Sequence, residues 1–206
     1  MNESMNKRHA LRLMGLTGLA ALAGTVLAAC SEKKPSFNAV DITGADYAKG
    51  FTLSDADGKQ RTLADFKGKV VVMFFGYAQC PDVCPTTMSE MAQVKQQLGS
   101  DGDKLQVLFV TVDPARDTPT VMKAYMGAFD PGFVALIPTP EQLSALAKDY
   151  KVYYKKVEGK TPTSYSMDHS AASFVYDTEG RVRLYARYGA GVPAMVSDLK
   201  ALLKPA

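Results

Sequence analysis

The sequence has no tryptophan, two histidines and three cysteines. Without tryptophan there can be no Trp-Cys-Gly-Pro-Cys loop of the general thioredoxin kind. Beyond residue 30 only two cysteines and one histidine remain, one short of a structural zinc site, which closes with four ligands. No apolar run reaches the ~20 residues of a membrane-spanning helix; the longest, residues 13–29, covers 17. There is also little net charge. The chain carries +3, and Lys7, Arg8 and Arg12 against Glu3 put two of those charges in the first 29 residues, leaving 21 bases and 20 acids behind. A nearly neutral body gives no electrostatic reason to bind nucleic acid. What is present, 47% apolar and 22% charged residues in 206, fits one soluble domain or at most two small ones. A disordered, collagenous or multi-span chain is excluded.

The first segment reads as an address. A basic start, a short apolar core interrupted by Gly15, Gly18 and Gly24, and small residues before a break describe a secretory signal. It ends Leu27-Ala28-Ala29-Cys30, which resembles the bacterial lipobox. There the cysteine thiol is acylated and becomes the new N-terminus. The expected organisation is a lipoprotein signal over 1–29, lipidated Cys30 with a flexible tether over 30–50, and a folded domain over 51–206. The domain would then be extracytoplasmic, held to a membrane surface by lipid, on the periplasmic face in a Gram-negative cell.

Within the domain, apolar residues flank Asp57-Gly58, a strong hairpin signal. Residues 69–75 (KVVVMFF) and 105–112 (LQVLFVTV) read as buried strands. Met88, Met91, Val94 and Leu98 recur at helical spacing up to Gly99. Asp117-Thr118-Pro119 and Thr139-Pro140 are helix starts, a capping oxygen followed by proline. Residues 171–176 and 182–188 pair as strands, and 193–203 closes the chain as a helix. Helices alternating with buried strands predict βαβ units. The fold expected is α/β and thioredoxin-like: an N-terminal β-hairpin and a mixed central sheet flanked by helices.

Cys30 belongs to the lipobox, so Cys80 and Cys84 are the domain's cysteines. Four residues apart in the first turn of a helix, they would share one face, where free N–H groups and the helix dipole favour thiolate. Such a pair can close a disulfide or hold a soft metal ion. His9 lies in the signal, which leaves His169 as the imidazole of the mature chain. It precedes a predicted strand, at the segment that faces the dithiol loop in thioredoxin-like folds. Two thiolates and one imidazole form an S₂N set suited to copper, as Cu(I) or Cu(II).

Gly76-Tyr77, Cys80-Pro81-Asp82-Val83-Cys84-Pro85, Val112-Asp113-Pro114-Ala115-Arg116-Asp117-Thr118 and Asp168-His169-Ser170 together resemble the Sco/SenC family of copper chaperones, in order and spacing over 51–203. The resemblance implies a membrane-tethered thioredoxin-like domain that binds copper through Cys80, Cys84 and His169. It also implies a role in building the dinuclear copper centre of cytochrome c oxidase. The partners implied are the copper-bearing oxidase subunit and, as suppliers, another periplasmic copper chaperone or a thioredoxin-like reductant. Here a lipid anchor would replace the transmembrane helix of many members.

Several roles stay open at this level. Cys80 and Cys84 would equally serve a thiol–disulfide oxidoreductase that keeps oxidase-subunit or other exported cysteines reduced, Cys80 attacking and Cys84 resolving. A peroxiredoxin-type peroxidase is disfavoured because Tyr77 stands where a hydroxyl-bearing Thr or Ser is expected. Asp168 either orients the imidazole or is an exposed loop charge. Asp113, Arg116 and Asp117 either line the site or form a turn with a cap and an ion pair. Met88 and Met91 fit a core stripe, whereas Met167, close to His169, is a candidate for a transient copper contact.

Overall fold

A computed structural model describes residues 36–161 and 164–204. The signal, the apolar run and Cys30 lie outside the described residues. Ten strands and four α-helices follow in the order β1 (Val40–Asp41), β2 (Leu53–Asp55), β3 (Gln60–Arg61), β4 (Val70–Gly76), α1 (Val83–Leu98), β5 (Leu105–Thr111), α2 (Pro119–Gly127), β6 (Val134–Ile137), α3 (Pro140–Asp149), β7 (Tyr154–Val157), β8 (Ser166–His169), β9 (Ala172–Tyr176), β10 (Val182–Arg187) and α4 (Val192–Leu203). Eight strands form one mixed sheet in the order β1-β10-β9-β4-β5-β6-β2-β3, and β7 and β8 form a separate two-stranded ribbon.

β4 and β5 are buried along their whole lengths. Their β-branched and aromatic side chains suit a strand covered on both faces, and they pair in parallel from Val70–Leu105 to Gly76–Thr111. The crossover between them is α1. Its Cys84, Thr87, Met88, Met91, Val94 and Leu98 form the buried stripe, and it packs on α4. Gly99, in the left-handed region at φ 61°, stops the helix. β5, α2 and the short β6 make a second parallel unit. On the other side, β9 runs antiparallel to β4 with Phe174 opposite Met73. This is the thioredoxin-like arrangement expected, with Met88 and Met91 in the core.

Three features differ from the sequence reading. The stretch read as tether up to residue 50 is folded from Phe37 onward. β1 pairs with β10, and the buried carboxylate of Asp198 accepts the backbone N–H groups of Asn38 and Ala39 at 2.8 Å each. Ala48 is fully buried and its carbonyl accepts the Tyr176 hydroxyl. A segment without apolar periodicity is ordered by partners some 130–160 positions away. β6 is a further strand; four apolar residues are too few for periodicity to identify. The third is the β7–β8 ribbon, whose mostly exposed, four-residue strands hold too few apolar residues to read as strands from sequence. No helix among the described residues is long and apolar enough to cross a membrane.

Candidate metal centre

The two parallel strands end side by side, and the chain leaving each of them builds the site. After Gly76, β4 continues into Tyr77-Ala78-Gln79-Cys80, and α1 starts at Val83 behind Asp82. Cys84 therefore sits at the second helical position. Pro85 is tolerated beside it because a first-turn residue has no intrahelical partner for an N–H. Cys80 precedes the helix, and its Sγ accepts the Cys84 backbone N–H at 3.4 Å. Both cysteines are free thiols, Cys80 half-buried and Cys84 fully buried.

β8 brings the third group. Its alternation turns Met167 and His169 to one side and Ser166 and Asp168 to the other. His169 Nε2 lies 3.4 Å from Cys84 Sγ, while Nδ1 lies 3.0 Å from the Ser170 carbonyl oxygen. In the tautomer with its proton on Nδ1, that N–H donates to the carbonyl and the Nε2 lone pair faces the sulfurs, as a metal would require; in the other tautomer the Nε2 N–H donates to them. Phe74 and Tyr77 meet the imidazole ring edge-on, with centroids at 6.0 and 5.9 Å. The two sulfurs and an imidazole nitrogen all lie within 4.8 Å of one another. Ligands bonded at ~2.0–2.3 Å around one ion would stand roughly 3.5–4 Å apart, so a small contraction would close this set on a metal.

The sulfurs are electrostatically unequal. The Cys80 thiol is pulled down to about 4, first by the hydrogen bond from Cys84, then by His169 and the N–H groups of Asp82 and Cys84, against the opposing effect of burial. The same bond and burial drive Cys84 far above the ordinary thiol range. At neutral pH the pair is thus one thiolate and one thiol sharing a proton. A soft cation entering between them would displace that proton.

Gly76 makes the close packing possible. A Cβ there would fall 2.8 Å from Cys84 Sγ, 2.7 Å from Phe74 and 2.9 Å from Phe109. Below the sulfurs, buried Asp117 accepts the Ala78 N–H at 3.1 Å and the Thr111 hydroxyl at 2.6 Å. Burial raises its carboxyl above the usual range despite these bonds. Asp113 pairs with Arg116 and accepts the Tyr165 hydroxyl at 2.8 Å.

Cys80, Cys84 and His169 are thus brought together, as the sequence suggested. Asp168 is exposed and takes the second of its two expected roles, since the group facing the imidazole Nδ1 is the Ser170 carbonyl. The Asp113–Arg116 pair forms in the turn, while Asp117 supports the cysteine loop from beneath. The sequence reading overlooked Gly76 as a spacer, and Ser170, Gln79 and Tyr165 as supports. Only Gly76, the last residue of a buried strand, left a signal to follow.

A thioredoxin-like domain with a dithiol at the end of its central strand and an imidazole delivered opposite is one class of protein, and the comparisons specify it further. The SCO1/SenC family model matches residues 40–204. The chain belongs to that family. It is 34% identical to Protein SCO2, mitochondrial, of Saccharomyces cerevisiae over 172 residues, covering 79% of this chain and 57% of that protein. It is 31% identical to the SCO2-like protein of Rickettsia felis, covering 81% and 82% respectively. The chain thus spans little more than half the yeast relative. Among solved structures, Bradyrhizobium japonicum ScoI with copper bound is 39% identical, covers 74% of this chain and 97% of its own, and superposes with a TM-score of 0.68. Apo Sco1 from Thermus thermophilus is 35% identical, with 81% and 97% coverage and a TM-score of 0.72.

Proposed function

We propose that this protein is a copper metallochaperone that takes part in assembling the dinuclear copper centre of cytochrome c oxidase. The observation that carries the reading is the convergence of Cys80, Cys84 and His169 donor atoms within 4.8 Å. Membership of the SCO1/SenC family and likeness to copper-bound ScoI support it. Copper is the cargo. Cys80 thiolate would accept it, Cys84 would bind on losing its proton, and His169 Nε2 would complete three ligands. Such a set leaves a side open to a ligand of the acceptor, so copper can pass by exchange without release as a free ion. Oxidising Cys80 and Cys84 to a disulfide would remove two of the three donors. The oxidase subunit carrying the copper centre is the acceptor in this reading. A lipid on Cys30 holds the domain at the extracytoplasmic face of a membrane. A mature protein heavier than residues 30–206 by a diacylglyceryl group is the expected mass, and a peptide mass fitting free Cys30 opposes the anchor.

Copper titration of the reduced protein tests the metal reading. One copper per chain is expected, with sulfur-to-copper charge-transfer absorption. Cys80→Ser and Cys84→Ser should lose stoichiometric binding, and His169→Ala should bind more weakly with altered bands. A reduced wild-type protein that stays colourless and metal-free in this titration, yet reduces insulin briskly with or without His169, would mark an oxidoreductase instead. That alternative leaves the imidazole against Cys84 without a task.

A further inference from the structure

The β7–β8 ribbon delivers His169 but shares no ladder with the main sheet. Its placement therefore depends on its connections and on side-chain contacts. At the C-terminal end of β8, His169 is one residue removed from the turn into β9, and Ser170 and Tyr153 exchange backbone and hydroxyl hydrogen bonds. Midway, Met167 is buried and its backbone hydrogen-bonds the Tyr77 side chain, so the cysteine loop also holds the middle of the strand. At the N-terminal end, Tyr165 is gripped. The Arg116 guanidinium lies 3.5 Å from the centroid of the Tyr165 ring, and Nη1 donates to the Tyr165 carbonyl at 2.7 Å. The Tyr165 hydroxyl donates in turn to Asp113 at 2.8 Å.

Arg116 reaches the other half of the site as well. Nη1 donates to Gln79 Oε1, in the cysteine loop, at 3.0 Å, and Nε is paired with Asp113 at the end of β5. The guanidinium also lies 5.8 Å from the ring of Tyr77, whose edge meets the imidazole. One side chain is therefore tied to the strand end, the thiol loop and the imidazole-bearing ribbon. A planar guanidinium with five donors suits this task; a lysine ammonium could not stack and fork at once.

We infer that Arg116, through its grip on Tyr165, is the positioning residue that holds the β7–β8 ribbon and so sets His169 Nε2 against the sulfurs. It touches no ligand atom and acts through the ribbon. Its effect on copper rests on the function proposed above; its effect on the ribbon does not.

The experiment has two arms on the intact chain. In the metal-free, reduced protein, amide hydrogen exchange is followed for wild type, Arg116→Ala and Tyr165→Ala. Both variants should exchange faster in β7 and β8, with β4, β5 and β9 as protected as in wild type. Unchanged ribbon exchange in either overturns the latch, and so does a loss of protection spread evenly over the sheet. In the second arm, copper affinity by chelator competition is combined with the nitrogen hyperfine coupling of the Cu(II) form. Arg116→Ala should weaken binding by about tenfold to a hundredfold and diminish the imidazole coupling. In a His169→Ala background the same change should add nothing, because a residue acting through the imidazole has no effect once it is gone. A full additional loss in that background overturns the inference. Faster ribbon exchange in both variants, together with a wild type that binds no copper, would leave the latch standing and remove the metallochaperone reading.

Discussion

Cys80 and Cys84 are four residues apart, yet their sulfurs differ in almost every physical respect. Cys80 is half-buried, receives hydrogen bonds and is held near a pKa of about 4; Cys84 is fully buried and keeps its proton. Only the thiolate is nucleophilic, so alkylation of the metal-free protein should fall on Cys80. Its rate should rise as pH climbs through about 4 and stay flat to neutrality, because a depressed pKa means the thiolate is already complete above it. Peptide mapping of iodoacetamide-treated protein across pH checks this. A midpoint near the ordinary thiol value, or equal labelling of Cys84, would contradict it. Both cysteines and His169 were legible in the sequence by elimination and motif. Their division of labour was not, because it arises from which sulfur the fold covers.

At the scale of elements, the site depends on how closely the end of β4 approaches the first turn of α1. Gly76 is the contact point, and a methyl there would collide with Phe74, Cys84 and Phe109 in a packed core. Gly76→Ala should destabilise the protein by roughly 1–3 kcal/mol, the usual range for overpacking, and weaken copper binding by displacing Cys84. Urea unfolding with an unchanged m-value, together with chelator competition, would measure both. Wild-type stability and affinity would show that neighbouring rings yield freely. Long buried strands and capped helices were readable from composition and spacing. β6 and the β7–β8 ribbon were not, since one is too short and the other too exposed to impose a pattern.

Across the whole molecule, a buried carboxylate helps close the segment from residue 37 onto the rest of the domain, beside the β1–β10 pairing and the Tyr176 bond to Ala48. Asp198 accepts from the Asn38 side chain at 2.9 Å as well as from two backbone N–H groups. Asp198→Ala leaves those donors unpaired and should cost about 1–3 kcal/mol. Hydrogen exchange at Val40–Asp41 should rise, while copper stoichiometry stays at one, because no contact of the metal centre comes from this segment. Loss of copper binding in this variant would show that the N-terminal segment supports the site.

By itself, the sequence determined the strands and helices whose apolar patterns are long enough to dictate burial, and the identity of two thiols and one imidazole with chemistry in common. Tertiary structure alone decided that the chain from Phe37 to residue 50 belongs to the fold. It also decided which sulfur keeps the proton, and how a ribbon outside the main sheet is turned to present its histidine. The reason is the same in each case. These outcomes depend on hydrogen bonds and close packing between residues remote along the chain, and such contacts leave no periodic trace in the order of the amino acids.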